Sequence, residues 1–293
     1  MLITALPSPW SEGARALFAL KGLDAVAVDF RPGDAALTAW TGVPNAPVVL
    51  LDDEPPVSGW EDILALAERL RPDPAPVPAA PPTGARFLAW MHALLDPSGL
   101  AACRRQLVLH ESLRPDEPGR VRRGFPPGLA RGLAARYGYH PDRLPEARER
   151  LIAGLAELDA ALADSARASS PYILGALTAL DPYAAAMIAT LAPLSDAVHP
   201  IAPILRPALE YLDPAIAAAV TPRLLAHRDL VYARHIHEPP GRARVSHSRF
   251  QSWSSSFPSC GGEARAGAAL REASTASTDR GAPSRAASAA AAK

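Results

Sequence analysis

Between Arg71 and Thr83 the sequence places six prolines, at positions 72, 74, 76, 78, 81 and 82. Proline has no backbone N–H and fixes φ near about −65°, so neither a helix interior nor an inner strand runs through such a segment. The stretch is an extended, semi-rigid spacer. It also separates two kinds of pattern. Before it, short β-branched runs alternate with helical periodicity; after it, only helical periodicity recurs. The expected architecture is α/β followed by all-α: residues 1–71 as a first domain, 72–83 as linker, 84–238 as a helical domain and 239–293 as a tail.

The first part opens on Leu2-Ile3-Thr4-Ala5-Leu6, an apolar run that reads as a buried strand. Ser8-Pro9-Trp10-Ser11 follows, and Glu12 to Gly22 carries Ala14, Leu17, Phe18 and Leu20 at helical spacing. Ser8 suits the N-cap and Pro9 the first helical position. The unpaired N–H groups and positive dipole end of such a helix suit an anion, in particular a thiolate. A second strand is expected at Ala25–Phe30, closed by Arg31-Pro32-Gly33-Asp34, with a short helical stretch over Ala35–Trp40. A third strand is expected at Val48–Leu51, and Val57 leaves room for a very short fourth. Ser58-Gly59-Trp60-Glu61 has capping-box spacing, Ser58 as N-cap and Glu61 at the third helical position. The helix it starts carries Ile63, Leu66, Ala67 and Leu70.

In the second part Phe87, Leu88, Met91, Leu94 and Leu95 form one helical face, continued by Leu100, Cys103 and Leu107. Asp96-Pro97-Ser98-Gly99 interrupts it, which gives one broken helix or two. Helices are expected near Leu129–Tyr137, over Pro145–Ala166 with Leu151, Leu155, Leu158 and Leu162 aligned, after Asp181, and from Thr221 to His235. At Thr178-x-x-Asp181 the two side chains can cap one helix start reciprocally, or Asp181 can be the N-cap with Pro182 following. The tail from Pro240, rich in Ser, Ala, Arg and Gly, shows no apolar periodicity and reads as disordered.

Composition narrows the function classes. Thirty basic and thirty acidic residues give no general electrostatic reason to bind nucleic acid or an acidic membrane. The two cysteines, Cys103 and Cys260, exclude a disulfide framework or a zinc site built from cysteine pairs, and favour a reducing compartment. No apolar run approaches the roughly 20 residues of a membrane span, and no basic leader precedes the first strand. The expected location is cytoplasmic. The eight histidines form no metal pattern; His235-x-His237 splits its rings across a helix. Arg104-Arg105 and the cluster at 120–123 read as solvated faces, and Arg15 as a solvated helix residue, with ligand binding as its weaker reading.

The order strand, helix, strand, helix, strand, strand, helix, with Ser8-Pro9-Trp10-Ser11-Glu12-Gly13-Ala14-Arg15-Ala16-Leu17 and Ala46-Pro47, resembles the thioredoxin-like domain of the glutathione S-transferases. The resemblance implies the family's fold for residues 1–238, a thioredoxin-like domain and then a helical bundle. It implies glutathione as co-substrate, no metal, a small electrophile as second substrate and a homodimer. Ser8 would stabilise the glutathione thiolate, with Ser11 as second choice. The family's cis-proline would be Pro47, and Ala46 and Pro47 would face the cysteinyl unit. The family's Glu-Ser pair at the start of the last helix of this domain holds the γ-glutamyl end. Gly59-Trp60 stand there instead, so Ser58, Glu61 and Asp62 are the remaining candidates. Thr178 and Asp181 match a folding element of the family's helical domain. Trp10, Trp90 and Met91 are candidates to line an apolar pocket, and ordinary packing is the competing reading for all three. Two functions are open: an enzyme processing an electrophile, and the same fold kept as a binding or interaction module without turnover.

Overall fold

A computed structural model describes residues 1–30, 33–115 and 123–236, and the backbone of 244–245. These belong to one of the chain's two units, Met1–Gln251. Arg31, Pro32, Arg120, Arg122, His237, Cys260 and all of the expected tail except Arg244 and Val245 lie outside the described residues.

The first strand, β1 (Leu2–Thr4), leads to α1 (Pro9–Leu20), β2 (Ala27–Asp29), α2 (Ala35–Thr41), β3 (Val48–Val49), β4 (Val57–Ser58) and α3 (Trp60–Leu70). β1 pairs parallel with β2, Ile3 opposite Val28, and antiparallel with β3, Ile3 opposite Val48. β3 pairs antiparallel with β4. Side chains alternate across a strand. Leu2 and Val49 therefore join Leu17, Phe18 and Ile63 on the face of α1 and α3, whereas Ile3, Val28 and Val48 pack with Leu37 of α2. Helices cover both faces, which is the thioredoxin-like arrangement. Beyond the elements expected from sequence, β5 (Arg244–Val245) pairs parallel with β2, giving the order β4-β3-β1-β2-β5.

The helical part comprises α4 (Pro81–Leu95), α5 (Leu100–Leu113), α6 (Pro127–Arg136), α7 (Leu144–Arg167), α8 (Leu180–Ala189), α9 (Arg206–Glu210), α10 (Pro214–Ala219) and α11 (Pro222–Val231), which runs on into a π-helical turn over Tyr232–Ile236. The break before α5 makes two helices. Asp96 is extended, as a residue before proline tends to be, and a Cβ on Gly99 would meet Leu94 O at 2.8 Å. Leu151, Leu155, Leu158 and Leu162 are all buried along α7. Leu88, grouped by periodicity with the buried face of α4, is 48% exposed.

Three buried polar groups hold the parts together. Lys21 has no exposed surface; its ammonium donates to Arg71 O at 2.5 Å, Pro72 O at 3.2 Å and Pro74 O at 3.1 Å, and pairs with Glu68 at 2.8 Å. It anchors the start of the proline-rich stretch to the end of α1. Asp181, also fully buried, accepts from Ile173 N at 2.9 Å, Thr178 N at 2.8 Å and Thr178 Oγ1 at 3.1 Å. The carboxylate thus returns to the Thr178 amide, while the Thr178 hydroxyl donates to it instead of capping the helix. Arg104 corrects the reading of a solvated face: it is 5% exposed and donates to Thr190 O, Ala208 O and Tyr211 O. Burial lowers its pKa to about 10. Finally, α1 lies against α8 at Gly13, where a Cβ would stand 2.0 Å from the buried Tyr183 ring.

Candidate functional site

Ser8 is the N-cap of α1, in extended geometry (φ −158°, ψ 124°) with Pro9 next. Its hydroxyl makes no cap hydrogen bond and has no other partner among the described residues. The first amide bonded within the helix is Glu12 N, to Ser8 O at 2.9 Å. Trp10 and Ser11 therefore have no helical acceptor for their amides. Half-buried Ser8 thus offers a free hydroxyl beside free N–H groups and the positive end of a helix dipole. Ser11 differs: it has no exposed surface, and its hydroxyl accepts from Ala5 N at 3.0 Å, tying β1 to α1.

The amide of Ser8 is fixed by a group the sequence reading missed. Glu12, 2% exposed, accepts from Ser8 N at 3.2 Å through one oxygen and from the Tyr232 hydroxyl through the other. His199 Nε2 lies 3.1 Å from that second oxygen. Burial first, then the Glu12 carboxylate, raises the Tyr232 phenol well above its usual range, so it remains the donor. The helical part thereby holds the start of α1 in place. No local pattern reveals this contact, because Tyr232 stands 220 positions from Glu12.

Ala46–Pro47 is a cis peptide leading into β3, with Pro47 buried and Ala46 half-buried. The preceding loop is clamped by α6 and the residue after it. Arg136 donates to Pro44 O and to Asn45 Oδ1, the latter at 2.7 Å, and the Tyr137 hydroxyl reaches Asn45 Oδ1 at 3.3 Å.

At α3 the capping box does not form. Ser58 ends β4, Gly59 is the N-cap at φ +92°, and no side chain caps the helix. The strand turns into the helix through a φ that favours glycine, which moves the N-cap one residue along. Glu61 and Asp62 are exposed in the first turn, where carboxylates suit the dipole. Trp60 instead turns inward, 7% exposed, its ring edge-on to His92 with centroids 5.1 Å apart and Nε1 3.4 Å from Asp96 Oδ1.

The three candidates for an apolar pocket do not converge. Met91 is fully buried in the core. Trp90 lines a cavity of about 410 Å³ between α4 and α7, with Asp96, Arg150 and Glu157. Trp10 bridges the two parts of the chain: its Nε1 donates to Leu95 O at 2.9 Å, and the Arg105 guanidinium lies 4.9 Å from its ring centroid. The same guanidinium stacks 3.7 Å from the Tyr137 ring. Arg105 is half-buried, not solvated, and burial lowers its pKa. Arg15 is half-buried as well. Among the described residues no group of three or more His, Cys, Asp or Glu is placed to hold a metal ion. No helix among them is long and apolar enough to cross a membrane.

Comparison with solved structures identifies the fold. A glutathione S-transferase from Methylobacterium radiotolerans, in complex with glutathione sulfonate, superposes with a TM-score of 0.55 at 22% identity, over 83% of this chain and 98% of that one. The fold is that of the glutathione S-transferases. A β-etherase from Sphingobium sp. gives 0.55 at 18% identity, over 80% and 95% of the two chains. A glutathione S-transferase from Methylobacillus flagellatus with glutathione bound gives 0.54 at 14%, over the same shares. No protein-family model and no curated protein matches the sequence.

Proposed function

We propose that the chain binds glutathione and directs its thiolate at a small electrophile. The observation that carries this reading is the uncommitted Ser8 hydroxyl at the N-terminus of α1. Two solved structures of the same fold hold glutathione or its sulfonate, which supports the choice of ligand. In this reading the Ser8 hydroxyl donates to the sulfur, and the helix N–H groups and dipole favour its negative charge. Together they lower the thiol from a free pKa of about 8.5, so the thiolate predominates near neutrality. The sulfur then attacks the electrophilic carbon while Ser8 stays a hydrogen-bond donor. Ala46 and Pro47 present backbone groups to the cysteinyl unit. Ser58, Glu61 and Asp62 receive the γ-glutamyl end, whose ammonium suits the two carboxylates. Ser11, buried and hydrogen-bonded, takes no part. The working form is proposed as a cytoplasmic homodimer, as the resemblance implies.

A second reading, the same fold without turnover, is favoured by one feature. By the resemblance Trp60 stands where the family has its glutathione-binding serine, and here it turns into the protein. Titration calorimetry with glutathione divides the two, since no heat at millimolar glutathione would refute the enzyme and leave the fold as an interaction module. If heat is seen, conjugation assayed on Ser8→Ala should fall at least tenfold; an undiminished rate would clear Ser8 of its role.

A further inference from the structure

Four cations, Lys21, Arg104, Arg105 and Arg228, are deeply or partly enclosed near the junctions of the fold. Three are answered by the protein itself. Lys21 and Arg104 each meet three carbonyls, and Arg228 meets Ala192 O and the Asp229 carboxylate. Arg105 is the exception: among the described residues its buried Nε has no hydrogen-bond partner and no carboxylate pairs with its guanidinium. Its guanidinium instead faces the rings of Trp10 and Tyr137.

Those rings place it. Trp10 stands two residues after Ser8, and Tyr137 touches Asn45, next to Ala46–Pro47. Tyr137 is itself fixed, because Gln106 Nε2 donates to its carbonyl at 3.1 Å. Arg105 thus lies between a ring on the Ser8 segment and a ring that touches the loop before Ala46–Pro47. A guanidinium stacked on a ring keeps its N–H groups in the plane, directed away from that face and free for a two-pronged acceptor. Its partial desolvation leaves a charge that the fold does not neutralise.

We infer that Arg105, held between the Trp10 and Tyr137 rings, binds a carboxylate, and that the second substrate is a small electrophile bearing a carboxylate beside its apolar part. This rests on the glutathione reading. Glutathione's own carboxylates share the chemistry, and the test separates the two sources. Calorimetry compares glutathione, S-benzylglutathione and S-(4-carboxybenzyl)glutathione on the parent, Arg105→Gln and Arg105→Lys, each checked for a native melt. The parent should prefer the carboxylated conjugate by about tenfold. Arg105→Gln should abolish that preference and leave glutathione unchanged, and Arg105→Lys should keep part of it. If Arg105→Gln weakens all three ligands alike, the carboxylate is glutathione's own and the substrate claim falls. If it changes none, Arg105 is not an anion site while the glutathione reading stands. If the parent binds none, the glutathione reading fails, and benzoate followed by tryptophan fluorescence tests the arginine alone: a shift absent in Arg105→Gln supports it, and no shift overturns it.

Discussion

Gly13→Ala is the substitution that most directly tests how α1 is seated. Within a helix interior, alanine in place of glycine favours the folded state by about 1 kcal/mol. At Gly13 that gain meets an obstacle. The new Cβ would lie 2.0 Å from Tyr183 Cδ1, 2.2 Å from Cε1 and 2.4 Å from Cγ, against ordinary contact beginning at 3.4 Å. Tyr183 is fully buried, so its ring has no solvent to swing into. Helices α1 and α8 must part by more than about 1 Å, or the ring must leave its rotamer; overpacking of this kind costs about 1–3 kcal/mol and at times more. The net expectation is a loss of about 2 kcal/mol. Gly132→Ala on α6, with nothing within 4 Å of its Cβ, is the control and should gain about 0.5–1 kcal/mol. Urea melts of both variants read the contrast as midpoints moving in opposite directions. Gly13→Ala in a Tyr183→Leu background should recover much of the loss, a coupling above about 1 kcal/mol. A Gly13→Ala midpoint that rises with that of Gly132→Ala would refute the packing argument.

Other consequences are open to the same kind of measurement. Asp181→Ala removes a fully buried acceptor of three hydrogen bonds and should cost about 3 kcal/mol or more in a urea melt; coincident curves would contradict that. Lys21→Met leaves the Arg71, Pro72 and Pro74 carbonyls without their donor and should cost about 3 kcal/mol, with faster proteolysis within residues 72–80 read by mass spectrometry. Burial raises the Cys103 thiol above the ordinary cysteine value of about 9. Its folded pKa being the higher, the contribution is intact below pH 9 and is lost as pH rises beyond it. Native alkylation of the Cys103 peptide at pH 8.5 should therefore lag that in urea, and equal rates would refute the burial.

Local features were legible in the sequence. Ser8-Pro9 marks the start of α1 because an N-cap and a proline at the first helical position are decided by neighbouring backbone alone. The leucines of α7 and the break before α5 were readable for the same reason. The errors share a different cause. Ser58 and Glu61 have capping-box spacing, yet spacing does not report φ, and the chain turns at Gly59. Arg104 looks like a surface cation until the carbonyls of Thr190, Ala208 and Tyr211 are brought to it from 86, 104 and 107 positions away. Arg105 differs from it only in what tertiary structure sets beside it. Leu88 has the period of a buried residue, but α4 turns that edge outward. The part of the site built on one segment was visible; the part built by juxtaposition, Glu12 with Tyr232 or Arg105 with Trp10 and Tyr137, was not.

The central claim is that Ser8 and the start of α1 stabilise a glutathione thiolate, and the pKa of the bound thiol tests it most directly. Ultraviolet absorption of the thiolate, followed against pH with glutathione saturating the protein, should give a midpoint at least one unit below the free value of about 8.5, returning toward it in Ser8→Ala. A bound thiol that titrates as free glutathione does, or a depressed value that Ser8→Ala leaves in place, would contradict the account.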